Sequence, residues 1–151
     1  MPDLYFFVWK CIAMNKKYIL GIDPGSSKTG AALLDKNGKI IRMEILWMND
    51  FAEGLRHFLQ GTAPEVCVIG NGTTGVKLKQ RLTAILPAVR IVTCDEAYST
   101  EEARALYWEL NPPQGWRRLI PLGLLSPPVP LDGYAALVLA RRYLAEIGMT
   151  K

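Results

Sequence analysis

The feature that most limits what this chain can fold into is a change of apolar period near residue 50. Before it, residues 18–23, 29–34 and 39–46 are short apolar runs, separated by Pro24-Gly25 and by Lys36-Asn37-Gly38. Runs of that length between turn residues predict strands, and Asn-Gly predicts a tight hairpin. Strands joined by turns this short pair antiparallel, because a parallel pair needs a long crossover. After it, Phe51, Leu55, Phe58 and Leu59 fall at helical spacing behind Asn49-Asp50, a cap signal. A fourth strand is predicted over 65–69, ended by Gly70-Asn71-Gly72. A second helix carries Leu78, Leu82 and Ile85 and stops near Pro87, and a fifth strand spans 89–93. Ser99 and Glu102 have capping-box spacing and open a third helix through Ala103, Leu106, Tyr107 and Leu110. Residues 131–147 predict the last helix.

Alternating helices and strands imply right-handed parallel crossovers. The expectation is therefore an α/β fold: a mixed five-stranded sheet, three antiparallel then two parallel strands, flanked by helices. The crossovers bring the ends of strands one, four and five to one edge, where sites in such sheets tend to lie. With 151 residues, half of them hydrophobic, the chain has the size of one domain with one core.

Residues 1–14 read as an N-terminal extension and 15–151 as the domain. The apolar stretch 4–14 is interrupted by Lys10 and is shorter than the roughly 20 residues a membrane helix needs. Asp3 and Trp9 suit a signal peptide poorly. Met14, followed by Asn15-Lys16-Lys17 and the first strand, suits a start residue; an extra edge strand or packing arm is the alternative. The odd set Cys11, Cys67 and Cys94 has no close pair, which argues against a disulfide framework or zinc site. Cys67 and Cys94 read as buried thiols, and the chain as cytoplasmic, with no membrane partner. A net charge of +4 and a pI near 9.0 permit a phosphate-backbone partner without requiring one.

Carboxylates in three distant parts of the chain stand where chemistry can be built. Asp23 follows four apolar residues at the end of a buried strand, where a carboxylate is costly unless paired or bound to a cation. Asp95 and Glu96 hold the same kind of position beyond the fifth strand. Asp132 opens the last helix, and Ala135 and Ala136 would let that helix lie close to the sheet, bringing Asp132 over the strand ends. Each has an ordinary alternative: turn capping for Asp23, acidic dressing of a helix N-terminus for Asp95 and Glu96, helix capping for Asp132. Together they would converge on one sheet edge and repel, so they would need a cation. Hard oxygen ligands without His or Cys favour Mg2+ or Mn2+. Two such ions can activate a water and hold a leaving phosphate oxygen, which makes phosphodiester hydrolysis the natural reaction.

Residues 111–130 contain six of the ten prolines, around Trp116, Arg117 and Arg118. Long loops in compact domains are often functional. Lys28 in the first turn, with Trp116, Arg117 and Arg118, could meet phosphates and stack a base. Lys77 and Lys79 read as a solvated helix face.

These segments resemble a known family. Residues 19–30, ILGIDPGSSKTG, resemble the first motif of the RuvC and YqgF families. Residues 94–100, CDEAYST, resemble the YqgF Asp-Glu-Arg-x-Ser/Thr-Thr motif, and 131–136, LDGYAA, its final-helix motif. Residues 69–73, IGNGT, look like the strand-four turn of the YqgF-like domain of Tex proteins. The resemblance runs from about Lys17 to the last helix. It implies a ribonuclease H-like fold and a metal-dependent nuclease site, whose acidic positions fall on Asp23, Glu96 and Asp132. It further implies pre-16S ribosomal RNA end processing or Holliday junction resolution, with a homodimer as in RuvC-like resolvases. The chain departs from the pattern at Ala97, where the family motif has Arg, and at Asn71, where RuvC-like enzymes have Glu; RuvC's second Asp in the final helix is also missing. Those departures suit the alternative, a nucleic-acid-binding module without catalysis. Sugar kinases and actin-like ATPases open with a comparable phosphate-binding hairpin, but they need a second lobe that this length cannot hold.

Overall fold

The computed structural model describes residues 17–148, so the extension over 1–14 lies outside the described residues. Strands β1 (Tyr18–Asp23), β2 (Lys28–Asp35) and β3 (Ile40–Trp47) form an antiparallel meander. Helix α1 (Phe51–Leu59) leads to β4 (Val66–Gly70), and α2 (Thr73–Ile85) to β5 (Arg90–Cys94). Both later strands run parallel to β1, giving the sheet order β3-β2-β1-β4-β5. Helix α3 (Ser99–Leu110), a loop with two short 3-10 turns, and α4 (Asp132–Glu146) follow within the described residues. This is the mixed sheet that the change of period requires.

The strand sequences explain their order. The interior of β1 and all of β4 are buried, as strands covered on both faces must be. β3 and β5 are only partly buried and take the two edges. Alternate residues of one strand feed opposite cores. Ile19, Val66 and Val68 pack with Ala103, Leu106 and the α4 residues Ala136, Leu137 and Ala140. Leu20, Ile22, Cys67 and Ile69 pack with Phe51, Leu55 and Phe58 of α1 and with Leu78 and Leu82 of α2.

Helix α4 lies close across the sheet because small residues meet there. A Cβ placed on Gly30 of β2 would run into the carbonyl of Asp132, and one on Gly21 of β1 into that of Ala136. Gly30 is thus what lets the α4 N-terminus sit over the ends of β1 and β2, as Ala135 and Ala136 implied.

Several local expectations need correction. Asn49-Asp50 does not cap α1 through a side chain; Met48–Asp50 forms a 3-10 turn that runs directly into it. The Ser99/Glu102 capping box does not form. Ser99 is the buried first residue of α3, and the preceding position is Tyr98, in a left-handed conformation with φ 60° and no side-chain cap bond. The entry is closed instead by Ser99 N–H donating to Glu96 O at 3.0 Å and Ala97 N–H donating to Asp95 Oδ1 at 2.9 Å. Cys67 is buried, which pushes its thiol up to about 12, but Cys94 is only half-buried because β5 is an edge strand. Among the described residues no helix is long and apolar enough to cross a membrane.

Candidate active site

The parallel register sets the ends of β1, β4 and β5 side by side, with Ile22 opposite Ile69 and Gly70 opposite Cys94. Asp23 is the last residue of β1 and half-buried. Its carboxyl is pushed up to about 7, first by burial and then by the negative charges of Glu96 and Asp132. The sheet edge therefore gathers all three acids anticipated from the sequence into one electrostatic neighbourhood.

Glu96 lies two residues beyond β5. Its carboxyl occupies a slot above Gly70 and Gly72, where a Cβ on either glycine would collide with it. The Glu96 backbone N–H donates to Asn71 Oδ1 at 3.3 Å, and Asn71 N–H donates to Cys94 O at 3.0 Å. Asn71, the departure from the RuvC pattern, thus ties the β4 turn to the loop bearing Glu96. Glu96 Oε1 is buried and has no hydrogen-bond partner. A buried carboxylate oxygen without a donor is costly, and a cation would satisfy it. Asp95 is separate in role, since its side chain is engaged by Ala97 N–H in a local turn.

Asp132 begins α4 but caps nothing; the capping position is Leu131 and no side-chain cap bond forms. Its Oδ2 stands 3.4 Å from Lys28 Nζ, at the start of β2. Lys28 is thereby at the site, paired to an acid. Among the described residues no three Asp, Glu, His or Cys side chains form a ready-made ligand set for a metal ion. The donor chemistry nevertheless fits a hard divalent cation. It consists of oxygens only, one of them orphaned, beside an Asp23 carboxyl raised first by burial and then by its acidic neighbours.

Arg142 of α4 was not anticipated. Its Nη1 donates to Asp95 O at 2.5 Å and its Nη2 to Ala97 O at 2.7 Å, gripping the backbone on both sides of Glu96. Glu102 of α3 anchors the same guanidinium, at 3.2 Å to Nε and 2.8 Å to Nη2. The contacts span 40 to 47 residues, so no local spacing marks them.

Trp116, Arg117 and Arg118 are exposed on the 3-10 turn Gly115–Leu119. Among the described residues no hydrogen bond or ion pair joins them to the three acids; Arg118 Nε donates to Pro113 O at 3.3 Å. Arg104 of α3 secures the second half of this loop through the carbonyls of Gly123 (3.1 Å) and Leu125 (2.7 Å). Lys77 and Lys79 are exposed on α2. Lys77 also lines a groove of about 400 Å3 with Ser26, Thr73, Thr74 and Arg81, next to the turn after β1.

No family model matches the chain, and no curated protein matches it in sequence. Solved structures do. Thermus thermophilus RuvC in complex with a Holliday junction substrate superposes with a TM-score of 0.52 at 19% identity, covering 88% of this chain and 97% of that one. Thermus thermophilus RuvC on its own gives 0.50 at 17%, covering 87% and 96%. The likeness covers 88% of this chain and 97% of that one, so the fold of this protein is ribonuclease H-like, as in RuvC.

Proposed function

We propose that this chain is a divalent-metal-dependent nuclease that hydrolyses phosphodiester bonds in structured nucleic acid. Asp23, Glu96 and Asp132 would hold Mg2+ or Mn2+. The observation that carries the reading is Asp23, raised by burial and by two remote acids, beside the partnerless Glu96 Oε1. Bound there, the ion supplies a Lewis acid that makes water nucleophilic at neutral pH and neutralises charge on the phosphate.

The chain's own residues do the rest. Gly70 and Gly72 make the space in which Glu96 lies, and Arg142 fixes the loop that carries it. Asp132 is held over the strand ends by α4. Lys28, 3.4 Å from Asp132 at the start of β2, would offer a cation to a substrate phosphate. Trp116, Arg117 and Arg118 offer a base a stacking face and the backbone two cations, in a loop that ends at Asp132. Within this class we favour a YqgF-like role in ribosomal RNA end processing, or resolution of branched DNA, as a homodimer. A RuvC structure solved with a Holliday junction supplies the precedent for branched DNA in this fold.

The decisive experiment is a cleavage panel of precursor ribosomal RNA, junction DNA, duplexes and single strands, with Mg2+ or Mn2+. Cutting should disappear with chelator and in Asp23→Asn, while the variant keeps its circular dichroism spectrum. Equal cutting by Asp23→Asn would end this mechanism. The Lys28–Asp132 ion pair and the lack of a closed ligand set favour a second reading, a binding module without catalysis. Salt-dependent binding with no cutting of any substrate in the panel would establish it.

A further inference from the structure

Two non-glycine residues in the described chain have left-handed backbones, Gln60 and Tyr98. Gln60 follows the last residue of α1, where helices commonly end this way. Tyr98 opens α3, and for a bulky side chain the conformation is a true outlier. Strain of this kind persists only where the surroundings hold it, and it gathers at functional sites. The ring has no compensating burial: Tyr98 is 75% exposed. Neither aromatic pair in the described chain includes it.

The backbone around the ring is fixed. Ala97 O accepts from Arg142 Nη2, Ser99 N–H donates to Glu96 O, and Glu102 N–H donates to Tyr98 O at 3.0 Å. The aromatic is therefore held in solvent, two residues from the Glu96 carboxyl. Its neighbour Ala97 brings no cation, so this stretch of loop is not built to grip a phosphate. An exposed ring on a fixed backbone, two residues from Glu96, offers a flat apolar face. The matching ligand is a nucleobase, whose face any sequence presents. Inside a continuous duplex that face is covered by neighbouring bases.

We propose that Tyr98 is a stacking platform for an unpaired base next to the phosphate that a cation at Asp23, Glu96 and Asp132 would engage. The site then takes single strands, or the unpaired stretches of structured nucleic acid, in preference to continuous duplex. This rests on the nucleic-acid reading above and adds the strand state of the substrate. Tyr98 acts on affinity and specificity; it holds no ion and moves no proton.

The test uses the full chain with Ca2+ in place of Mg2+ or Mn2+, an ion that suits hard oxygen ligands, and it reads binding, so no cutting is needed. Oligonucleotides containing 2-aminopurine, single-stranded or in duplex, are titrated at low salt. The wild type should quench the single-stranded probe, and Tyr98→Phe should match it. Tyr98→Asn keeps the backbone, since Asn tolerates the left-handed region. It should lose the quench and bind the single strand about ten-fold more weakly, with duplex binding unchanged and the melting temperature equal or higher. Unchanged single-strand binding and quench in Tyr98→Asn would overturn the proposal and point to a protein contact for the ring. Equal losses on single strand and duplex would overturn it in favour of a merely structural role. Stacking without metal-dependent cutting would sink the hydrolytic reading alone, and no binding of any oligonucleotide would sink both.

Discussion

Arg142 Nη2 donates to the carbonyl oxygen of Ala97 at 2.7 Å, so a residue near the end of α4 sets the backbone next to Glu96. The same guanidinium reaches Asp95 O and is anchored by Glu102. The planar fork serves four acceptor atoms on three residues at once, which a lysine cannot reproduce. Arg142 is a positioning residue, acting through the loop and not on substrate. Arg142→Gln should cost on the order of 2 kcal/mol of stability through lost charged hydrogen bonds. It should also weaken Mn2+ binding, read by electron paramagnetic resonance, by about ten-fold. Arg142→Lys should recover most of the stability and little of the metal affinity. If both substitutions lower stability but leave Mn2+ affinity alone, the loop is not held for the sake of Glu96.

Asp23 makes the metal-free protein sensitive to pH in an unusual direction. Its carboxyl titrates near 7 when folded and near 3.8 when not, first because of burial and then because of Glu96 and Asp132. The folded state therefore binds the extra proton between those values. The stability that the neutral acid retains at pH 4 is lost as pH rises toward 7. Allowing for solvent at a half-buried carboxylate, the loss is on the order of 2 kcal/mol. In EDTA, Asp23→Asn should thus melt higher than wild type at pH 8 and about equally at pH 4, and Mg2+ should raise the wild type more than the variant at pH 8. Parallel melting curves for the two proteins across this range, by differential scanning calorimetry, would refute the coupling.

What was legible in the sequence follows the range of the forces involved. Strand alternation, helical spacing and turn chemistry are local, and they made the mixed sheet and its flanking helices legible among the described residues. The capping box at Ser99 failed because a better-bonded local turn, through Asp95 Oδ1, competes for the same stretch. Cys94 was misjudged because β5 reads as apolar, while only the sheet order makes it an edge. Arg142 and the Lys28–Asp132 pair were hidden for another reason: both join residues 40 or more positions apart, and a charged side chain carries no mark of its distant partner.

Gly70 and Gly30 separate site from scaffold. A methyl at Gly70 meets the Glu96 carboxyl, the end of a flexible side chain, whereas one at Gly30 meets the backbone of α4 at Asp132. Gly70→Ala should therefore cost about 1 kcal/mol or less, as the side chain swings away, while lowering metal affinity and cleavage at least ten-fold. Gly30→Ala should cost about 3 kcal/mol or more, because helix and sheet must move apart. Chemical denaturation together with Mn2+ titration reads both effects. A reversed ranking of the two stability losses would show that the slot over Gly70 is structural.

Lys28 sits between two roles, and one substitution can tell them apart. Its Nζ lies 3.4 Å from Asp132 Oδ2, on side chains exposed enough that the pair adds little stability, about 0–1 kcal/mol. Removing the charge leaves Asp132 free for an ion and takes one cation from the mouth of the site. Lys28→Met should then bind Mn2+ several-fold more tightly. It should bind oligonucleotide more weakly, with the slope of log affinity against log salt reduced by about one phosphate contact. The opposed signs matter, because a general loosening of the β1–β2 turn would weaken both. Weaker metal binding in Lys28→Met would mean that the ion pair orders Asp132 for its ligand role, and Lys28 would then belong with Arg142 among the residues that position the site.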